Sequence, residues 1–231
     1  MDIDVVIPVL NRPQNASRVL ESLIHASNLE VRPVFVCTKG DEAEIAAVKE
    51  TEAEYIIVPW PAGDGDFAMK HNLAFLELEA PYYLVGADDL EFEPGWDHFA
   101  IVVAEHSGAG VIGTNDDANP LVKRGKHSTH PLLRRSYIEE TGGTWLDGPG
   151  TIFHEGYAHQ YVDTELCQAA MDRGEFAAAR SSIVRHLHPM YPQRGRARTP
   201  MDDTYRKALG DASRDMHLFQ ERQRLSKLAE V

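Results

Sequence analysis

Only two cysteines occur in the 231 residues, Cys37 and Cys167, and neither belongs to a CxxC pair. That excludes a multi-bridge disulfide framework and a cysteine-built zinc or redox site, and reduced thiols in a cytoplasmic setting are expected. No apolar run approaches the roughly 18 residues needed to cross a bilayer, so no membrane span is expected. The opening MDIDVVIPV is acidic and then only briefly apolar, unlike a secretory leader. Positive charge is scarce: 23 Lys and Arg stand against 36 Asp and Glu, a formal net charge of -13. This excludes a broad electrostatic surface for nucleic acid or an anionic membrane, while leaving room for a small basic pocket. The basic residues that do gather, Arg194, Arg196 and Arg198, fall in a Gly/Arg/Pro segment that reads as a flexible loop. The histidines show no HExxH zinc pattern, and internal repeats and low-complexity tracts are absent.

What is present suits one globular domain over residues 1–231, with 43% hydrophobic and 26% charged residues. Strand-like and helix-like segments alternate through the first 113 residues. Strands are expected at 2–9, 31–38, 55–58, 82–85 and 111–113, the second carrying Pro33 near its start or at an edge. Helices are expected at 13–27, 41–50, 66–79 and 95–106, with Asn11 and Asp66 as helix-capping residues. Ile24 belongs to the buried face of the first helix, and Leu76 or Leu78 to that of the third. The rhythm implies an α/β fold: a mostly parallel twisted sheet flanked by helices. Periodicity then weakens. Polar residues 114–131 and the Gly- and aromatic-rich stretch 144–160 read as loops. Short helices at 134–141 and 163–173, a strand at 176–187 and a helical tail over 201–231, broken near Gly210, complete the chain. A nucleotide-binding half (1–113) and an acceptor-facing half (114–200) emerge from this division.

The densest signal is YYLVGADDLEFEPGW, residues 82–96. A short apolar strand stops at two adjacent acids, Asp88 and Asp89. Buried side by side, two carboxylates repel and lose hydration, a cost that needs a compensating partner. At the carboxyl end of a strand they lie where open α/β sheets bind ligands, and a divalent cation would neutralise them. An acidic turn is the plain alternative. Three more segments share the pattern: IPVLNRP at the first strand's exit, YVDTEL at 161–166 and RHLHP at 185–189. His186 and His188 share a face if their strand continues.

In order and spacing these motifs resemble the family 2 glycosyltransferases of GT-A fold, over roughly residues 3–190. The resemblance implies a metal-dependent, inverting transfer of a sugar from a nucleotide-sugar donor, UDP- or another, to a hydroxyl acceptor. Asp89 would then bind Mn2+ or Mg2+, with His188 or His186 as a further ligand, and Asp88 would hold the donor ribose or a metal-bound water. Gly86 stands where many relatives carry the first acid of Asp-x-Asp-Asp. Asp163 would be the general base, unless it serves only as a helix cap. Pro8, Asn11 and Arg12 would line the nucleobase pocket. Thr38 or Asp41, in CTKGD, would replace the relatives' Asp-Gly-Ser-like turn, and GDGDFAMKHNLAF places Lys70 and Asn72 at the donor. The remaining histidines of the second half, His127, His130, His154 and His159, read as loop residues. Two alternatives keep the fold: nucleotidyl transfer onto a sugar phosphate, and a non-catalytic nucleotide- or sugar-binding module. The first is disfavoured, since VLNRPQNAS carries no glycine after the first strand.

Overall fold

A computed structural model describes residues 2–191, 193 and 198–229. The chain alternates β1 (Ile3–Pro8), α1 (Ala16–Ala26), β2 (Val31–Thr38), α2 (Glu42–Glu50), β3 (Glu54–Val58), α3 (Asp66–Glu77) and β4 (Tyr82–Val85). It continues through β5 (Leu90–Phe92), α4 (Trp96–Ser107), β6 (Val111–Asn115), α5 (Pro120–Lys123), β7 (Leu132–Arg134) and α6 (Arg135–Glu140). Then come α7 (Val162–Asp172), β8 (Phe176–His186), α8 (Asp203–Gly210) and α9 (Ala212–Ala229). Among the described residues no helix is long and apolar enough to cross a membrane.

The strands form one sheet in the order β3-β2-β1-β4-β7-β6-β8-β5. From β3 to β4 every pairing is parallel, as the alternating rhythm implies. Beyond β4 the sheet is mixed: β7 runs antiparallel to both neighbours, β6 and β8 are parallel, and β5 returns antiparallel to β8. Neither β5 nor β7 carries a periodic signal, since three residues are too few to show one. Pro33 is not on an edge strand. It pairs with Val5, one residue before β3 joins at Val34, so its missing N–H breaks no ladder.

All six residues of β1 are buried, as a strand covered on both faces requires. Ile3, Val5 and Ile7 meet α1, α2 and α4 on one face. Val6, with Val34, Tyr83 and Val85, meets α3, α6 and α7 on the other. Ile24 and Leu76, expected inside, are exposed, and Leu78 is the buried partner of that pair. Asn11 and Asp66 do not cap. A 3-10 turn over Pro13–Asn15 leads into α1, and Gly65, at φ 77°, precedes α3. A left-handed turn suits glycine there, and an added Cβ would lie 2.6 Å from the Glu155 carbonyl oxygen. The 144–160 stretch is irregular yet held by side chains: Asn72 accepts from Ile152 and Phe153 N–H, and Asp215 from the N–H groups of 158, 159 and 160.

At the exit of β4 the backbone of residue 86 crosses β1 closely, its N–H donating to Val6 O at 2.9 Å. A Cβ at Gly86 would sit 2.3 Å from that same oxygen. Close approach therefore leaves no room for a side chain at this position. Gly86→Ala is expected to cost about 1–3 kcal/mol through forced separation of β1 and β4. Chemical denaturation would read this as a lowered midpoint, and an unchanged midpoint would refute the close-approach argument.

Candidate metal and donor site

The turn after β4 delivers Asp88 and Asp89, both buried, at the carboxyl ends of the parallel strands. The strand leaving that turn fixes their surroundings. β5 pairs Leu90 with His186, and the Leu187 N–H donates to Asp89 O at 2.9 Å. His186 is thereby set beside Asp89, with Nε2 3.2 Å from Oδ2. β8 ends at His186, so His188 does not share its face as a strand residue. The His188 Nδ1 accepts from the Met190 N–H, and its ring lies 5.0 Å from that of His186. Between the two histidines, His186 is the one that reaches Asp89.

His130, read from sequence as a loop residue, joins them. One donor atom each from Asp89, His130 and His186 lies within 4.8 Å of the others, and among the described residues no other such group of three forms. Residues 114–131 are polar because their turns need it. Asp116 accepts from Ala118 and Asn119 N–H, Asn119 caps α5, and His127, Ser128 and His130 point inward. Asp89 Oδ1 and His130 Nε2 are buried and lack hydrogen-bond partners. An open carboxylate oxygen and an open imidazole nitrogen on two residues of one such group are the kinds of donor a dication takes.

Arg12 governs the other side. Its guanidinium donates to Asp88 Oδ1 at 3.2 Å and lies 3.7 Å from Asp89 Oδ2. Its Nε and Nη2 donate to Asp202, at 2.8 and 3.1 Å, and it stacks over the Tyr205 ring at 3.9 Å. The Tyr205 hydroxyl donates to Asp89 Oδ2 at 2.6 Å. Asn15 and Arg18 complete the shell of Asp88, on Oδ2 and the carbonyl oxygen. The tail helix α8, which Asp202 caps, is thus part of the site. Arg194 and Arg196 lie outside the described residues, and Arg198 donates to Pro189 O.

The other anticipated donor residues are distributed less evenly. Pro8 ends β1, and Asn11 adopts φ 57° with its N–H donated to Asp41 Oδ2 at 2.7 Å. Asp41 also caps α2, while the Arg12 N–H binds Glu44. Thr38 donates to Asp66 Oδ2 at 3.4 Å. Lys70 and Asn72, also expected at the donor, have partners within the chain. Lys70 is buried between Asp66, at 2.7 Å, and Val9 O, at 2.8 Å. Asn72 spends its amide on the backbone of 152–153 and on Glu155. Both hold loops in place.

Electrostatics separate the two acids. Burial, then the neighbouring Asp89 charge, pushes Asp88 up to about 7. Burial would also raise Asp89, but the charge and hydrogen bond of His186 and the Tyr205 hydroxyl outweigh it and hold Asp89 well below the usual range. Asp163 stands in the first turn of α7 and is not its cap, a place taken by Tyr161 at φ 68°. Its Oδ2 lies 3.2 Å from His127 Nε2. Burial opposes charge on His127, yet the Asp163 carboxylate and hydrogen bonds to Asp163 and Cys167 push it up to about 11. His127 stays protonated in the fold while an unfolded histidine titrates near 6.5. The pair's stabilisation is therefore complete below pH about 6.5 and is lost as pH rises toward 11. The unfolding free-energy gap between wild type and His127→Gln is expected to be largest near pH 6 and to shrink steadily toward pH 10. A gap independent of pH would show that the pair is not ionic.

No family model matches the sequence, and no curated protein matches it. Solved structures do match. A mannosyltransferase, PcManGT from Pyrobaculum calidifontis in complex with GDP-Man and Mn2+, aligns with TM-score 0.62 at 13% identity, over 84% of this chain and 58% of that one. S. aureus TarS 1-349 aligns at 0.57 and 12% identity, over 77% and 58%. Mycobacterium tuberculosis glucosyl-3-phosphoglycerate synthase, in complex with Mn2+, UDP-glucose and phosphoglyceric acid, aligns at 0.58 and 13%, over 90% and 77%. The chain thus spans under two thirds of the length of the first two. The order of strands, the mixed sheet and these alignments agree: the chain has the GT-A fold of glycosyltransferases.

Proposed function

We propose that the chain is a metal-dependent glycosyltransferase that moves a sugar from a nucleotide-sugar donor to an acceptor hydroxyl with inversion. The observation that carries this reading is the open Asp89 Oδ1, buried beside imidazole at the carboxyl ends of the parallel strands. Two of the aligned structures were solved with Mn2+ and a nucleotide sugar, which fits the same use of the site.

Asp89 and His186 would hold the dication, which when bound supplies Lewis-acid stabilisation of the departing diphosphate. Arg12 adds a fixed positive charge within reach of the same place. Burial would lower its pKa, but Asp202, Asp88 and Asp89 raise it beyond the ordinary arginine value, so it never loses its proton. Asp88, held by Arg12, Asn15 and Arg18, would bind the donor ribose. The loops 8–12 and 38–41, tied by the Asn11–Asp41 bond, would frame the base.

Asp163 would take the acceptor proton as the acceptor oxygen attacks the anomeric carbon. The bond from that carbon to the phosphate oxygen breaks, and the electron pair leaves with the nucleoside diphosphate. Burial favours the neutral form of Asp163. The His127 charge and hydrogen bond outweigh burial and hold it as a carboxylate, the form a base needs. Segments 114–131 and 144–160 would form the acceptor side and exclude water.

A thermal-shift screen of nucleotide sugars, with and without Mn2+, tests the reading. One donor is expected to raise the melting temperature only with metal, and Asp89→Ala should abolish that shift. Asp163→Asn should keep the shift and lower the transfer kcat by about 10²–10⁴-fold. No metal-dependent stabilisation by any nucleotide sugar would overturn the reading.

A further inference from the structure

Two histidines from distant parts of the chain lie at Asp89, one more than the motifs announce. His130 Nδ1 lies 3.0 Å from the Val85 carbonyl oxygen. A carbonyl only accepts, so Nδ1 carries the proton and Nε2 keeps its lone pair. That lone pair is buried, has no hydrogen-bond partner, and belongs to a residue 4% exposed. The ring stands edge-on to His186, with centroids 4.7 Å apart and planes at 89°. Its backbone is fixed as well: Thr114 Oγ1 donates to His130 O at 2.7 Å, and the Val85 N–H donates to Pro131 O at 3.1 Å. One ligand atom of this histidine lies within 4.8 Å of one from Asp89 and one from His186. Asp89 answers with Oδ1, likewise buried and open, while Tyr205 and His186 engage Oδ2.

We propose that His130 is a third protein ligand, completing with Asp89 and His186 a site that takes a transition-metal dication without any nucleotide. This deepens the transferase reading above, on which its catalytic use rests, although metal binding itself does not depend on that reading. The ligand set has two consequences. Three donors held by the turn after β4, the end of β8 and the loop before β7 make a site that needs no diphosphate oxygen to hold the ion. The metal then binds first and the donor second. Two imidazoles with one carboxylate also favour manganese, cobalt or zinc over magnesium, whose hard ion prefers oxygen. The Val85–His130 hydrogen bond is the outer support that fixes the ring, as ligating histidines commonly require.

The test uses the full chain stripped of metal by chelation and titrated with Mn2+ alone, following loss of the free-ion paramagnetic resonance signal. One bound ion per chain is expected, displaced poorly by Mg2+. His130→Asn keeps an amide N–H for Val85 O and removes Nε2, and should weaken Mn2+ binding about tenfold or more. Spin-echo nitrogen modulation of the wild-type Mn2+ complex should show two coordinated imidazoles, a readout that stands even if the variant fails to fold. A single coordinated imidazole, equal affinity in His130→Asn, or Mn2+ uptake only after nucleoside diphosphate is added would each overturn the proposal. The last result would leave the transferase reading intact. Tight nucleotide-free Mn2+ binding with no response to any nucleotide sugar would do the reverse.

Discussion

Two adjacent carboxylates buried at the end of a strand are intolerable unless their surroundings compensate, and much of this molecule is arranged to do so. Arg12 faces both, at 3.2 Å from Asp88 and 3.7 Å from Asp89. The compensation is unequal, and the inequality is informative. Asp88, with burial and a charged neighbour against it, is pushed up to about 7, while His186 and Tyr205 hold Asp89 charged. When neighbouring acids are driven apart in this way, their roles separate too. Asp89 is the anion that can receive a metal. Asp88 has both oxygens committed to Arg12 and Asn15 and presents a fixed hydrogen-bonding edge.

The same arginine explains why the tail belongs to the site. Its guanidinium is too deeply buried for solvent to neutralise it, and the planar fork bonds Asp202 with two nitrogens while it stacks on Tyr205. Asp202 caps α8 through the Tyr205 N–H, so one residue both starts the helix and anchors it to the first loop of the fold. Beyond α8, α9 is pinned by Asp215 to the backbone of 158–160 and by Arg222 to Glu165 and Asp147. Glu165 lies two residues from Asp163 on α7. The tail therefore braces both the acid pair and the helix bearing the candidate base.

Sequence reasoning reached the features that local periodicity and motif order encode. The parallel half of the sheet, the acid pair at the β4 exit and the placement of Asp163 in the first turn of α7 are all of this kind. It missed what depends on pairing between distant segments. The Leu90–Phe92 strand is three residues of a motif that looks like a turn, and only its partner β8 makes it a strand. The contacts of Lys70 with Val9 and Asp66, and of Asn72 with the 152–153 backbone and the Glu155 side chain, are likewise ones no local pattern reveals. His127 and His130 were hidden by their context. In a polar stretch, KHSTHP reads as surface, whereas buried Ser128 between them, accepting the Cys167 thiol on its carbonyl oxygen, turns both inward. The recurrence of histidine at 127 and 130 was the available signal.

Strand direction decides why a histidine from that loop can reach Asp89 at all. In a parallel sheet, the segment preceding a strand lies at the amino end, far from the ligand crevice. β7 is antiparallel to β4, pairing Leu132 with Leu84, so its entrance lies at the exit of β4. Pro131 accepts from the Val85 N–H and His130 donates to the Val85 carbonyl, extending the ladder by one rung into the crevice. The reversal at β5 works in the same way. Because β5 runs against β8, its first residue meets the last residue of β8, and Leu90 pairs with His186. The reversed β7 thus carries the His130 imidazole to the crevice, and the reversed β5 ties the Asp89 turn to the end of β8, where His186 lies.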